Sequence, residues 1–434
     1  MKRGEVMKAK LGSRFWLSLT IFSLMGQIAW VVENMYFNVF IYKMFSATAA
    51  DISNMVAASA VTATVTTIFM GALSDKIGKR KLFICGGYIL WGISILSFIF
   101  LREDLISKTL GLTVSAMTVG VSLTIMLDCV MTFFGSTAND AAFNAWLTDS
   151  TDSSNRGAAE GINAMMPLVS ILVVFGGFMF FDLEKASSWS LIFAIIGGVV
   201  TAVGILGFFI IKEPDVKPVK DSYIGGIIYG FRPKTIKENL KLYIYLACFI
   251  IINISIQIFM PYLIIYYEVT LKMSNYVLIM APAIIIASVV TAVWGKVYDK
   301  KGFSFSAAIS ITVLLLGYIL LYFTKATLPV FVGSLLMMSG YLSSMAVFGA
   351  AIRDNTPAGK AGRLQGIRIF SQVLIPGEVG PMIGKKVLEN AEVIINNDGT
   401  TSFVPDKNIF LAAAVAVIFT LPFIIRSFSS KNKT

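Results

Sequence analysis

GALSDKIGKRK, residues 71–81, interrupts a long apolar stretch. An apolar run from about Thr48 to Met70 stops at four basic residues, Lys76, Lys79, Arg80 and Lys81, and another run begins at Leu82. Two glycines, Gly71 and Gly78, and one aspartate, Asp75, punctuate the turn. Glycine permits tight turns and close helix approach, and Lys and Arg gather where a chain leaves a bilayer on the cytoplasmic side. The stretch therefore reads as a short loop between two membrane-spanning helices.

The rest of the chain agrees. Its 434 residues are 56% hydrophobic and 14% charged, against about 25% charged in a soluble protein. The mean hydropathy is +0.77. Each crossing needs roughly 20 apolar residues as a helix, because every backbone polar group must be satisfied inside the hydrocarbon. Alternating strands of a β-barrel are not visible. The apolar runs predict twelve helices at 15–40, 48–71, 82–101, 121–147, 160–181, 190–211, 242–266, 275–295, 304–323, 328–351, 366–384 and 409–426. The fold class expected is an all-α membrane protein. No small-residue cleavage site follows MKRGEVMKAKLGSR, so the first apolar run reads as helix one.

Twelve crossings put both termini on one side. The termini and the loops on that side hold 26 of the 36 Lys and Arg, which assigns that side to the cytoplasm. The net charge of +11 is then a topology signal, and a nucleic-acid partner is excluded for want of a basic soluble domain. A charged linker, 212–241, separates a six-helix bundle at 1–211 from another at 242–434. The chain has no histidine, so proton or cation work falls to carboxylates. Cys85, Cys129 and Cys248 lie in apolar runs and read as small apolar side chains, not as a disulfide or a metal site.

The loop has a twin. Gly71, Asp75 and Gly78 recur as Gly295, Asp299 and Gly302, displaced by 224 residues. Asp149, Thr151, Gly161 and Ile162 recur as Asp354, Thr356, Gly366 and Ile367, displaced by 205. The halves are parallel repeats about an axis along the membrane normal. The difference of 19 residues marks 101–119 as an insertion, either an interfacial helix or an extension of helix four.

With the loop, its twin, twelve helices and the half repeat, the chain resembles the major facilitator superfamily over nearly its whole length. The resemblance implies two pseudo-symmetric six-helix bundles that rock about a central site, a monomer, and a gating role for Gly71, Asp75, Gly78, Arg80, Gly295, Asp299 and Gly302. The plain reading beside it is a topology anchor.

Polar residues inside membrane helices are costly and by default mark pathways. Helix one carries Gln27, Glu33, Asn34 and Asn38; Gln27, Asn34 and Asn38 are spaced to share a face beside Trp30. Amides with an indole suit a sugar; interhelical hydrogen bonding is the alternative. On helix four Thr137, Asp140 and Asn144 form a stripe, and Asp140 lies about 13 Å from Asp149 along the axis, near mid-bilayer. A carboxylate there is paired, protonated or cation-bound. Asp128 lies nearer the outer end. Helix seven offers Asn253 and Gln257; helix eleven offers Gln372 and Glu378, the latter among Pro376, Gly377, Gly380 and Pro381, which should bend the helix. Arg368 is a partner within reach of these acids.

The stretch NDAAFNAWLTDSTDSSNRGAAEG resembles the glycoside–pentoside–hexuronide:cation symporters, the melibiose-carrier family. By that resemblance Thr137 and Asp140 fall on helix-four cation ligands. The family's two helix-two aspartates fall on Ala63 and Thr67, and its helix-one aspartate on Gln27. Glu33 and Glu378 are the replacement charges, and the coupling ion is H+ or Na+. GQIAWVVEN is similar to sucrose-type proton symporters and favours the proton.

No phosphate-binding G-x-x-x-x-G-K-[ST] loop and no nucleophile–histidine pair is present, so neither an ATP-driven pump nor an enzyme is expected. The expected function is ion-coupled uptake of a sugar or glycoside across the cytoplasmic membrane, with no cofactor beyond the ion. The alternative is a proton-coupled exporter of drugs or other small molecules, with a Met- and Phe-lined pocket. A membrane receptor, the third class, would want a soluble domain that this sequence does not display.

Overall fold

A computed structural model of the chain describes residues 11–110, 116–151, 155–214, 229–273, 275–357, 361–396 and 399–424. Ten helices among them are long and apolar enough to cross a membrane. They are helix one Ser13–Phe45, two Ala49–Ile77, three Arg80–Phe100, four Ala116–Asp149, five Gly161–Phe178, six Ala186–Ile210, seven Leu240–Thr270, eight Val277–Lys301, nine Phe303–Phe323 and ten Thr327–Asp354. Helix eleven is built from Ala361–Ile369, Phe370–Leu374 and Ile375–Val387. Helix twelve is the shorter apolar run Asn408–Ile424. The twelve-helix membrane architecture expected from the sequence is present.

Several boundaries differ for physical reasons. Helix two does not stop at Gly71 but runs to Ile77, and Gly78 ends it with φ 68°. A left-handed residue closes the last turn, and the Gly78 amide donates to the Ser74 carbonyl at 2.9 Å. Gly302 does the same after helix eight, with φ 77° and ψ −179° and its amide on the Tyr298 carbonyl. That region of backbone space is almost confined to glycine. Gly302→Ala should therefore cost about 1–3 kcal/mol, against about 1–2 for Gly78→Ala in ordinary left-handed geometry. Thermal unfolding of the detergent-solubilised variants checks this; a Gly302→Ala protein as stable as wild type would show that the turn relaxes.

The insertion contains a short amphipathic helix, Glu103–Leu110, and lengthens helix four, which starts at Ala116. Residues 111–115, most of the linker (215–228) and both chain ends (1–10 and 425–434) lie outside the described residues. Glu103 and Asp104 sit favourably at that short helix's N-terminal end. The Arg102 guanidinium holds the Asp104 carboxyl below the usual range.

A hairpin that hydropathy did not indicate joins helices eleven and twelve. Strand β1, Val393–Ile395, pairs antiparallel with β2, Thr401–Phe403, in the register Val393↔Phe403 and Ile395↔Thr401.

The chain forms two compact units. Unit one is Met1–Glu33 with Val65–Asp221, and unit two is Asn34–Thr64 with Ser222–Thr434. The chain thus leaves unit one within helix one, at a π-helical turn, Val32–Tyr36, and returns midway along helix two.

In unit one, aromatic rings form a continuous column. Phe15 stacks on Trp146, Trp146 on Phe143 and Phe143 on Phe22. Phe22 then meets Tyr88 edge-on, Tyr88 meets Trp91, and Trp91 tilts against Trp30. Centroid spacings of 4.8–6.4 Å lie in the favourable range for ring pairs. Small residues let helices three and six touch through their backbones: a side chain on Gly204 would lie 2.7 Å from the Ile89 amide nitrogen. Close packing of this kind substitutes for a hydrophobic drive that lipid cannot supply. In unit two, a side chain on Gly340 of helix ten would overlap Leu314 of helix nine. Ser255 of helix seven bonds the Tyr318 hydroxyl at 2.8 Å and donates to the Ala413 carbonyl at 3.0 Å.

Candidate functional site

The loop that opened the sequence is built around one buried guanidinium. Arg80 is 4% exposed. It reaches Asp75 at 2.5 Å and Asp149 at 2.9 Å, and donates to the Ser74 hydroxyl at 2.6 Å. Asp75 thus meets an arginine. The forked, planar donor set of arginine fits several acceptors at once. Glu213 accepts the backbone amides of Arg80 at 2.5 Å and Lys81 at 3.2 Å, so a carboxylate caps the exposed donors at the start of helix three. Asp149 could be found from the repeat; Glu213, in the linker, carried no signal.

The twin loop is chemically different. Position 304, the counterpart of Arg80 at the same displacement, is serine, and Asp299 is exposed. Here the Tyr298 hydroxyl donates to Asp354, the counterpart of Asp149, at 2.7 Å. Gly295 faces open space, since an added Cβ there would touch nothing. Close helix approach is not its role in this structure.

Unit one holds the helix-four residues and the first part of helix one. Residues Ser136–Phe143 form a π-helical segment, a geometry that recurs at functional sites. Its wider turn changes the predicted stripe. Ser136, not Thr137, faces Asp140 and donates to its Oδ2 at 3.0 Å. The buried Thr137 hydroxyl donates to the Phe133 carbonyl of its own helix at 2.7 Å. Asn144 is exposed, and its amide donates to the Asp140 carbonyl at 3.0 Å. Among the described residues no Lys or Arg pairs with Asp140. Glu33 is buried and accepts from Thr132 of helix four at 2.9 Å. Asp128, also buried, lies one turn from Thr132. Trp30 and Gln27 are half-buried. Gly135 makes room for the indoles, since a side chain there would lie 2.7 Å from Trp91 and 3.0 Å from Trp30. The aromatic column and this glycine fix where Trp30 sits.

Unit two holds the remainder. Asn34 is exposed, whereas Asn38 is buried and returns its amide to the Asn34 carbonyl at 3.1 Å. The π turn at 32–36 shifts the helical register, so the single face expected for Gln27, Asn34 and Asn38 is not maintained. On helix seven Asn253 is buried and bonds the Phe249 carbonyl at 2.8 Å, while Gln257 is half-buried. Helix seven has its own π turn, Tyr266–Thr270, and helix eleven has one at Phe370–Leu374 that contains the exposed Gln372. Pro376 follows it after one residue, Ile375. Proline offers no amide to the preceding turn, and the wide turn takes up the mismatch. Glu378 is half-buried on the helix that continues to Val387. Gly377 lies flush against Ala60 of helix two, and Gly380 against Gln257. The small residues of IPGEVGPMIG thus allow close packing as well as a bend.

Comparison with known proteins agrees with this architecture. A mutant of the nucleoside transporter NupG superposes with a TM-score of 0.72 at 12% identity, over 95% of this chain and 99% of that one. The xylose transporter XylE from E. coli, in a partially occluded inward open conformation, gives 0.69 at 14% identity, over 94% and 98%. A bacterial homolog of the human lysosomal transporter Spinster, inward-facing and occupied, gives 0.69 at 14%, over 97% and 98%. No curated protein matches the sequence. The sequence profile of the Major Facilitator Superfamily matches residues 15–381. The chain is a member of the Major Facilitator Superfamily, and so a multi-pass membrane transporter of small molecules.

Proposed function

We propose that this transporter is an ion-coupled symporter of a sugar or glycoside, of the melibiose-carrier type, working by alternating access in the cytoplasmic membrane with both termini in the cytoplasm. The observation that carries the coupling is Asp140. It is a membrane-embedded carboxylate on a π-helical segment, served by Ser136 and matched with no Lys or Arg among the described residues. Such a group is expected to take a proton or a cation when water withdraws. Glu33 and Glu378 are supporting acids. The substrate class rests on the amides of Gln27, Asn34, Asn144, Gln257 and Gln372 and the indole of Trp30, since hydroxyls take amides and a sugar's C–H face takes a ring. Nucleosides and xylose, which two of the structural relatives are named for, are polyhydroxyl compounds of that chemistry.

The test is substrate-induced proton movement in energy-depleted vesicles across a panel of glycosides. Sugar-dependent alkalinisation of the medium is the expected result. No proton movement with any sugar, with labelled-sugar uptake also absent when sodium is present, would overturn the reading in favour of export.

A further inference from the structure

The segment Asn34–Thr64 groups with unit two, although it continues helices that begin and end in unit one. Its contacts gather at the end of helix one remote from Arg80. Lys43 Nζ lies 2.6 Å from Glu268, and the two side chains are only 9% and 15% exposed. The buried hydroxyls of Tyr36 and Tyr276 bond at 2.9 Å. Tyr42 donates to the Phe403 carbonyl at 2.7 Å and sets its ring edge-on to Phe403. Ser46 donates to the Thr400 hydroxyl at 2.8 Å, and Thr270 donates to the Pro405 carbonyl. Strand β2 and its flanks therefore hold the ends of helices one and seven together. Strand β1 braces β2 from its exposed side, helped by Asn396, which donates to Thr400 and Ser402.

We propose that the β1–β2 hairpin and the Lys43–Glu268 pair form a releasable strap across helices one and seven, and that its release opens helix one to the membrane face opposite the Arg80 loop. Three observations point to release. Apart from the Tyr42–Phe403 ring pair, the contacts are hydrogen bonds and an ion pair that water can replace, and a buried ion pair is poor evidence for fixed stability. The strapped part of helix one joins the rest through the π turn at 32–36. The two non-glycine residues with positive φ among the described residues, Ser46 at 49° and Lys272 at 54°, lie at the two strapped helix ends; backbone in that region is strained and collects at switching segments.

The test needs no substrate, so its failure is separate from failure of the sugar-symport reading. In a protein lacking Cys85, Cys129 and Cys248, Asn34→Cys reports access to a membrane-impermeant maleimide added to the face opposite the Arg80 loop. Ser46→Cys with Thr400→Cys places two thiols where the hydroxyls now lie 2.8 Å apart, and mass spectrometry verifies their disulfide. Oxidation is expected to slow labelling by about tenfold or more, a bias of a two-state equilibrium, and dithiothreitol to restore it. Lys43→Gln should speed labelling, and the reversed pair Lys43→Glu with Glu268→Lys should bring the rate back toward its starting value. Labelling unchanged by the disulfide, or absent in the reduced protein, overturns the strap. A rate unaffected by Lys43→Gln overturns the ion pair's part in it.

Discussion

Asp140→Asn is expected to abolish concentrative uptake while leaving exchange of substrate across the membrane intact. Asparagine is nearly isosteric with the acid and can still accept from Ser136, so the π-helical segment has no reason to rearrange. What it cannot do is gain and lose a charge. One coupled charge moving through 100 mV is worth about 2.3 kcal/mol, which is an accumulation of roughly 50-fold. The variant should fall from that level to a ratio of about one, as any uncoupled carrier must. Steady-state accumulation of a labelled sugar, with counterflow measured in parallel, separates the two functions. Ser136→Ala should weaken coupling without removing it, because the carboxylate remains. Full accumulation by Asp140→Asn would move the coupling role to Glu33, which is buried against Thr132, or to Glu378.

The fold was readable because hydrocarbon imposes two coarse constraints, long apolar runs and cation-rich cytoplasmic loops. The repeat of Asp149 at Asp354 by itself singles out Asp149. The site was less readable, and the π turns are the main reason. Nothing in STANDAAF signals a wide turn, yet that turn exchanges Ser136 for Thr137 at Asp140. In helix one the same geometry breaks the shared face of Gln27, Asn34 and Asn38. Asn38 and Asn253 show a second limit. Both are polar and well placed by spacing, and both commit an amide to their own helix. The Lys43–Glu268 pair joins residues with no repeat or spacing between them, and three-residue strands are too short to leave a periodic trace.

Arg80→Ala should be the most destabilising single change in the motif loop. Removing one partner of a buried ion pair costs about 3–5 kcal/mol when the other is left without solvent. Asp75 and Asp149 keep 31% and 24% of their side-chain surface exposed, so water recovers part of that loss, and a cost of about 2–3 kcal/mol is expected. Arg80→Lys keeps the charge but cannot span two carboxylates and the Ser74 hydroxyl at once, and should fall between wild type and alanine. The loss should show as a lower unfolding midpoint in detergent, followed by fluorescence of the six tryptophans. The twin loop provides the control. Tyr298→Phe removes one hydroxyl donated to an exposed carboxylate, worth about 1 kcal/mol or less. If Arg80→Ala cost no more than Tyr298→Phe, the guanidinium would be acting as a surface charge despite its burial. A clear excess for Arg80→Ala would mean that the two halves, though repeated in sequence, close their loops with unequal strength.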